Sequence, residues 1–186
     1  QYLCSNDIKN EIGAMTYTQM LNSRGGIESD LTVTCVEKNK FRIITGSSVR
    51  THDKKHILKY LDSSVNFLDI TDNFSCIGIF GPKSRALLSE IFGEHFSNFD
   101  FKFGTGKKII KNNIELWFQR ISYVGELGWE IYIPTENSKE IYELVITLEK
   151  KFGLVHAGAH AMDIMRMESG FLHWGHDISP AENPYE

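Results

Sequence analysis

The segment from residue 15 to residue 46 limits the fold more than any other. MTYTQML (15–21) alternates apolar and polar residues, NSRGG supplies a turn, and DLTVTCVE (30–37) is strongly β-prone. Asn39-Lys40 then turns the chain into FRIITG (41–46). Connections this short join antiparallel neighbours, because a parallel crossover takes about a dozen residues or more.

Helical patterns are interspersed with the strands. SVRTHDKKHILKYLD (48–62) carries a rough apolar stripe of Val49, Ile57, Leu58 and Leu61, and NFLDIT (66–71) reads as a strand. SCIGIF (75–80) is a further strand, broken by Gly81-Pro82, and KSRALLSEIF (83–92) is a short amphipathic helix. Pro82 sits where a helix N-terminus tolerates it. A Gly/Lys/Asn-rich connector (104–113) leads into the strand ELWFQRIS. NSKEIYELVITLEKKFG (137–153) predicts a helix capped by Asn137 or Ser138 and stopped by Gly153, and another helix is expected from about His160 to Gly170. With tight hairpins and few plain βαβ units, the class is α+β, two antiparallel-sheet halves of ferredoxin-like character packed together. The boundary falls between residues 1–74 and 75–186.

A chain of 186 residues with 41% apolar and 24% charged residues buries a core of ordinary size. Its net charge of −4, with no long basic run, argues against nucleic acid and anionic membrane surfaces as partners. No stretch approaches the roughly 20 apolar residues of a membrane span, and no N-terminal signal pattern is visible. Cys4, Cys35 and Cys76 are far apart; Cys35 and Cys76 lie in apolar strands and read as buried free thiols of a reducing compartment. The spacing offers no metal site. The chain starts at Gln1 and stops at PAENPYE, which reads as a piece of a longer polypeptide whose site is shared with other segments.

Within RISYVGELGWEIYIP (120–134), Glu130 interrupts an apolar strand between Trp129 and Ile131. A two-residue turn at Glu126-Leu127 would place Tyr123 directly across from Glu130 on one face, with Trp129, Ile131 and Ile133 on the apolar face. The residues leave open whether that polar face, Tyr132 included, is wet or a binding surface, and a bulge near the glycines would separate the pair. In YTQMLNSRGGIESDLT (17–32), Asp30 opens a strand face shared with Thr32 and Thr34, while Leu31, Val33 and Cys35 take the other face. An acid beside hydroxyls suits a ligand with N–H donors; an Asp capping a turn is the plain alternative. His156/His160 and His173/His176 lack a third ligand at metal spacing, and Met162, Ile164 and Met165 read as core packing. No nucleophile–base arrangement, phosphate loop or dinucleotide fingerprint is present.

Four motifs in order, YTQMLNSRGGIESDL, IGIFGPKSRALL, SYVGELGWEIYIP and MRMESGFLHWGHDISPAENPYE, make the chain resemble the folate-binding aminomethyltransferase (glycine-cleavage T protein) family. LCSND, ML-N-x-RGG and HWGHD are most similar to the folate domains of dimethylglycine and sarcosine dehydrogenases. The resemblance implies the family's folate-binding fold, here without its N-terminal start and C-terminal β-barrel. It implies tetrahydrofolate as cofactor, with Asp30 catalytic and Tyr17, Thr32, Tyr123 and Glu130 binding the cofactor. The implied reaction captures a methylene unit from an oxidised N-methyl amine, dimethylglycine or sarcosine, as 5,10-methylene-tetrahydrofolate. FAD would sit on a separate domain of the full-length protein, and the location would be cytoplasmic, or the mitochondrial matrix in a eukaryote. The glycine-cleavage aminomethyltransferase, a related folate-dependent demethylase and a non-catalytic folate-binding module are the alternatives. Family T proteins usually carry arginine before the aspartate of the last helix; Met162 stands before Asp163 here, which favours the dehydrogenase branch.

Overall fold

The computed structural model describes residues 1–93 and 96–186. It divides into two compact units, Gln1–Leu68 with Leu172–Glu186, and Asp69–Phe171. Each is built on an antiparallel sheet, in keeping with the α+β class.

In the first unit, β1 (Met15–Leu21), β2 (Ile27–Glu37) and β3 (Lys40–Ile44) form a meander in the order β1-β2-β3. Alternation sends Met20, Leu31 and Val33 to one face, where Ile57 of α1 (Arg50–Tyr60) completes a small core with Leu3, Ile8, Leu61 and Phe67 packed against it. The β1–β2 turn is held by Asn22, whose side-chain oxygen accepts the Arg24 and Gly26 N–H groups at 2.9 and 3.0 Å. Gly26 has a further reason to lack a side chain. A Cβ there would overlap the Pro180 carbonyl oxygen, because the 172–186 segment runs against the start of β2. Ile27 N–H donates to the Glu182 carbonyl at 3.0 Å, and the Trp174 indole N–H donates to the Ile27 carbonyl at 2.8 Å.

The strand expected over residues 66–71 does not form. Asp69 instead accepts the Thr71 N–H and hydroxyl at 3.2 and 2.8 Å, an Asx-type turn that competes with extended pairing.

In the second unit, β4 (Phe74–Phe80), β5 (Thr105–Lys111), β6 (Ile114–Arg120) and β7 (Gly128–Pro134) lie in the order β4-β7-β6-β5. Trp129, Ile131 and Ile133 of β7 are fully buried with Leu88 and Ile91 of α2 (Ser84–Phe92) and Ile141 and Val145 of α3 (Ser138–Ile146). Phe96 meets Trp129 edge-on at 5.4 Å, within the preferred range for aromatic pairs. The expected connector at 104–113 is largely strand β5, joined to β6 through Asn112 and Asn113 at positive φ of 52° and 63°. Asparagine tolerates that turn conformation, and lysines on an edge strand discourage further pairing, so the composition that suggested a loop belongs to an edge hairpin.

The single helix expected over 137–153 is two, α3 and α4 (Glu149–Phe152). The Thr147 hydroxyl bonds back to the Leu144 carbonyl at 2.6 Å at the break, and Gly153 ends α4 at φ 67° as expected. Asn137 stands at the N-cap without a side-chain cap bond, and the Ser138 hydroxyl turns to the Thr135 carbonyl and to Ser75. The last helix, α5, spans Ala159–Glu168. All three cysteines are free; Cys35 is buried as expected, whereas Cys76 lies exposed on edge strand β4.

Gly26→Ala is expected to lower stability by about 2 kcal/mol, because the Pro180 backbone must move. Gly46→Ala, with no neighbour closer than 3.5 Å, should change it by less than about 0.5 kcal/mol. Denaturant midpoints of the two variants compare them directly, and equal midpoints would show that the 172–186 segment does not constrain the turn.

Candidate functional site

Two acid–phenol pairs stand on the polar faces of the two sheets. In the first unit, Tyr17 pairs in register with Thr32, and Gln19 with Asp30. Tyr17 and Asp30 are therefore diagonal neighbours on one face, within reach of a long side chain. The Tyr17 hydroxyl donates to Asp30 Oδ2 at 3.0 Å. Thirteen residues separate the two in sequence, the spacing of this diagonal across the hairpin. Tyr17 remains 53% exposed, so its ring is presented rather than packed, while Thr32 beside it is buried. Burial pushes the Asp30 carboxyl above its usual range; the Tyr17 hydroxyl and His173 pull it back, and Asp53 pushes it further up.

Asp53 is a group the sequence reading passed over as part of a polar helix. It is 2% exposed, and its Oδ1 meets His52 Nδ1 at 3.0 Å. The same imidazole reaches Glu28 through Nε2 at 3.3 Å and lies 5.3 Å from the Trp174 ring. The only signal in the sequence was an acid at helical spacing four residues before Ile57, on the face that α1 buries.

In the second unit the register differs from the expected hairpin. Glu130 pairs with Gln119 on β6 and with Gly78 on β4, so Tyr123 is not its cross-strand partner. Residues 121–127 form a loop between β6 and β7 instead of a two-residue turn. The cause is Leu127: its side chain packs on the core, and its carbonyl accepts the Gly81 N–H at 2.8 Å and the Ser84 hydroxyl at 3.0 Å. A tight turn would have carried Leu127 into solvent. Gly125, at φ 74°, faces Ser169 so closely that a Cβ would overlap the serine side chain. Tyr123 stacks on Phe171 at 6.4 Å with planes 13° apart, and Glu126 is exposed.

The neighbour that Glu130 does have is Tyr132, two residues on and on the same face. The Tyr132 hydroxyl donates to Glu130 Oε2 at 2.5 Å. Tyr132 is 8% exposed, so this face is not the wet surface the sequence left open as one reading. Among the described residues, Glu130 receives no other hydrogen bond. Burial raises its carboxyl above the usual range, and the Tyr132 hydroxyl acts in the opposite direction. Tyr132 is raised far above an ordinary phenol, by burial first and by the Glu130 charge second, and stays protonated. Cys76 keeps surface open to solvent, yet the protein crowded around its sulfur, and then the Glu130 carboxylate, push its thiol up to about 12.

On α5, Arg166 is 4% exposed and donates to Asp163 at 2.8 Å and to the Phe171 carbonyl at 3.0 Å. The i, i+3 spacing of Asp163 and Arg166 was the signal in the sequence that could have found this pair. His156 bonds to the Tyr142 hydroxyl at 2.8 Å, and His173 lies 4.6 Å from His176. No group of three or more metal-ligating side chains occurs among the described residues.

Each unit's sheet thus carries a half-buried carboxylate that accepts a tyrosine hydroxyl and keeps acceptor capacity beyond that bond. The chain belongs to the family described as the GCVT N-terminal domain, whose model matches residues 1–186. It is 35% identical to human mitochondrial sarcosine dehydrogenase over the whole chain, which spans 22% of that protein. It is 32% identical to rat mitochondrial dimethylglycine dehydrogenase, again with 22% of the relative covered. An aminomethyltransferase of Chlorobium limicola is 31% identical, with 52% of its length covered. The fold matches that of glycine cleavage system aminomethyltransferase T from Bartonella henselae with a TM-score of 0.76 over 94% of this chain and 45% of that one, at 24% identity. The chain is thus an aminomethyltransferase-type domain related to the two dehydrogenases, and it spans about a fifth of their length.

Because the folded state holds the Glu130 proton more tightly than the unfolded state, ionising it costs stability as pH rises through the raised value. Glu130→Gln should therefore unfold at an equal or higher denaturant concentration than the native chain at pH 7, with the gap closing below pH 4. A clear loss of stability in Glu130→Gln at pH 7 would mean that the carboxylate is retained for the fold.

Proposed function

We propose that this domain binds tetrahydrofolate and serves one-carbon transfer, accepting a methylene unit derived from an N-methyl amine such as dimethylglycine or sarcosine. The observation that carries this reading is Glu130: a half-buried carboxylate with one hydrogen-bond donor and an oxygen left for others. A pterin presents a 2-amino group and an N3–H side by side, which matches such a carboxylate as a two-point donor. The fit is in donor chemistry, since a carboxylate that accepts one bond has capacity for several more.

Bound tetrahydrofolate would supply the amine nitrogens that take up the one-carbon unit. Glu130 would orient the pterin, with Tyr123 and Tyr17 offering ring faces and Thr32 a hydroxyl. Asp30 is the proposed catalytic residue. Its raised carboxyl, answered by the Tyr17 hydroxyl, suits a group that holds and releases a proton and faces developing positive charge. A flavin domain elsewhere in the full-length protein would generate the oxidised amine. The similarity to sarcosine and dimethylglycine dehydrogenases supports that arrangement, as does 33% identity to a formaldehyde-forming 4-methylaminobutanoate oxidase of Paenarthrobacter nicotinovorans. A second reading, binding without turnover, draws on 28% identity to the mouse pyruvate dehydrogenase phosphatase regulatory subunit.

In the full-length protein, Asp30→Asn is expected to leave folate affinity within about threefold and to slow methylene transfer about a hundredfold. Glu130→Ala should weaken folate binding by about tenfold or more, the scale of losing a charge-assisted hydrogen bond. Calorimetry with 5-formyltetrahydrofolate and single-turnover transfer measure the two effects. Folate binding without any transfer in the native protein would select the second reading, and no binding would end both.

A further inference from the structure

The residues that the resemblance assigned to the pterin site did not include Tyr132, yet the structure gives it the tightest contact with the acid on which that site depends. Its hydroxyl lies 2.5 Å from Glu130 Oε2, and its ring stands in register between Cys76 on β4 and Trp117 on β6. Trp117 and Tyr132 are both buried. On the next row Glu130 is flanked by Gly78, which has no side chain, and by the neutral Gln119. Neither neighbour brings a compensating cation.

We propose that Tyr132 is a positioning residue for the pterin-binding carboxylate, fixing the Glu130 rotamer through Oε2 and so turning Oε1 and the remaining acceptor position of Oε2 toward the paired N–H donors of the ligand. The proposal rests on the folate reading and deepens it. A free carboxylate rotates about its last side-chain bond and presents either oxygen; one anchored at a single oxygen presents the other in a fixed direction. The result is selection for ligands with two adjacent N–H donors, because Oε2 keeps a single remaining acceptor position beside the open Oε1. A pteridine with a carbonyl in place of the 2-amino group should bind poorly.

The same hydrogen bond keeps the acid usable. Burial alone would hold Glu130 protonated to higher pH, where it would offer an O–H in place of an acceptor, and the Tyr132 hydroxyl offsets part of that shift. Among the described residues, the titratable groups beside Glu130 are Tyr132 on its own strand and Cys76 on β4, while β6 sets the neutral Gln119 across from it. Tyr132 and Cys76 both stay protonated through the neutral range, the latter pushed up to about 12, so Glu130 is the one of the three whose raised carboxyl the binding measurement follows.

The test is calorimetric binding of 5-formyltetrahydrofolate to the full-length protein from pH 5.5 to pH 9. Native affinity should fall as pH drops through the Glu130 value. In Tyr132→Phe that fall should begin at higher pH, with affinity down about tenfold at pH 6 and back within about threefold at pH 9, the effect of roughly one unit of pKa. Replacing Tyr132 with 3,5-difluorotyrosine, a stronger donor of nearly the same shape, should move the fall to lower pH. That variant decides the matter if Tyr132→Phe does not fold. A Tyr132→Phe profile that is unchanged, or weakened equally at every pH, overturns the positioning role while leaving the folate reading intact. Absence of native binding, or Glu130→Gln binding as tightly as the native protein, removes both.

Discussion

Strand β7 is the constraint on which the second unit depends. Its odd-numbered side chains, Trp129, Ile131 and Ile133, are fully buried, and a strand has a period of two. Slipping its register by one residue would bury Glu130 in a hydrocarbon core and expose a tryptophan and two isoleucines, at a cost of several kcal/mol for the apolar surface alone. The register is thus fixed by the core, and the placement of Glu130 and Tyr132 on the opposite face follows with no further specification. The polar pair is a by-product of that packing.

What packing does not supply is compensation for the charge. Asp30 and Glu130 both sit where burial raises the carboxyl, and each receives a tyrosine hydroxyl in place of a cation. A buried salt bridge would have lowered the acid firmly and used up its acceptor capacity. A phenol offsets part of the penalty, carries no charge, and leaves lone pairs open. Arg166 provides the contrast. There the acid partner, Asp163, is engaged by a guanidinium that also closes the Phe171 carbonyl, an arrangement suited to fastening α5 rather than to receiving a ligand.

Local pattern was enough for some of this. Strand β1 falls on the residues its alternation marked, and the face shared by Asp30, Thr32 and Thr34 is the one that alternation assigns. The resemblance, not local pattern, singled out Tyr17 and Asp30, and the structure joins them as a cross-strand diagonal. The errors share a cause. Tyr123 was set opposite Glu130 because nothing near the turn reveals that Leu127 is drawn to a core built from distant helices. Strand β5 was hidden by lysines that an edge strand wants for its own reasons. Tyr132 was correctly grouped with Glu130 by alternation, but alternation says only that two residues share a face, not that the face is covered. Coverage is decided by parts of the chain far away in sequence, and one strand carries no record of them.

The two acid–phenol pairs differ in what maintains them. Tyr132 and Glu130 are two residues apart on one strand, so their contact survives any change that leaves β7 extended. Tyr17 and Asp30 lie on different strands, and their contact exists only while β1 and β2 keep their register. That register passes through a bulge at Met20/Leu21 and the Asn22–Gly26 turn, where Asn22 bonds across the loop and to Glu28, and the 172–186 segment rests on β2 beside it. The Glu130 pair is therefore intrinsic to its strand, while the Asp30 pair is conditional on a turn and on a segment more than a hundred residues away. An acid meant only to hold a ligand gains from the first arrangement. For an acid meant to exchange a proton, the second lets the surrounding structure set its partner and so its affinity for that proton.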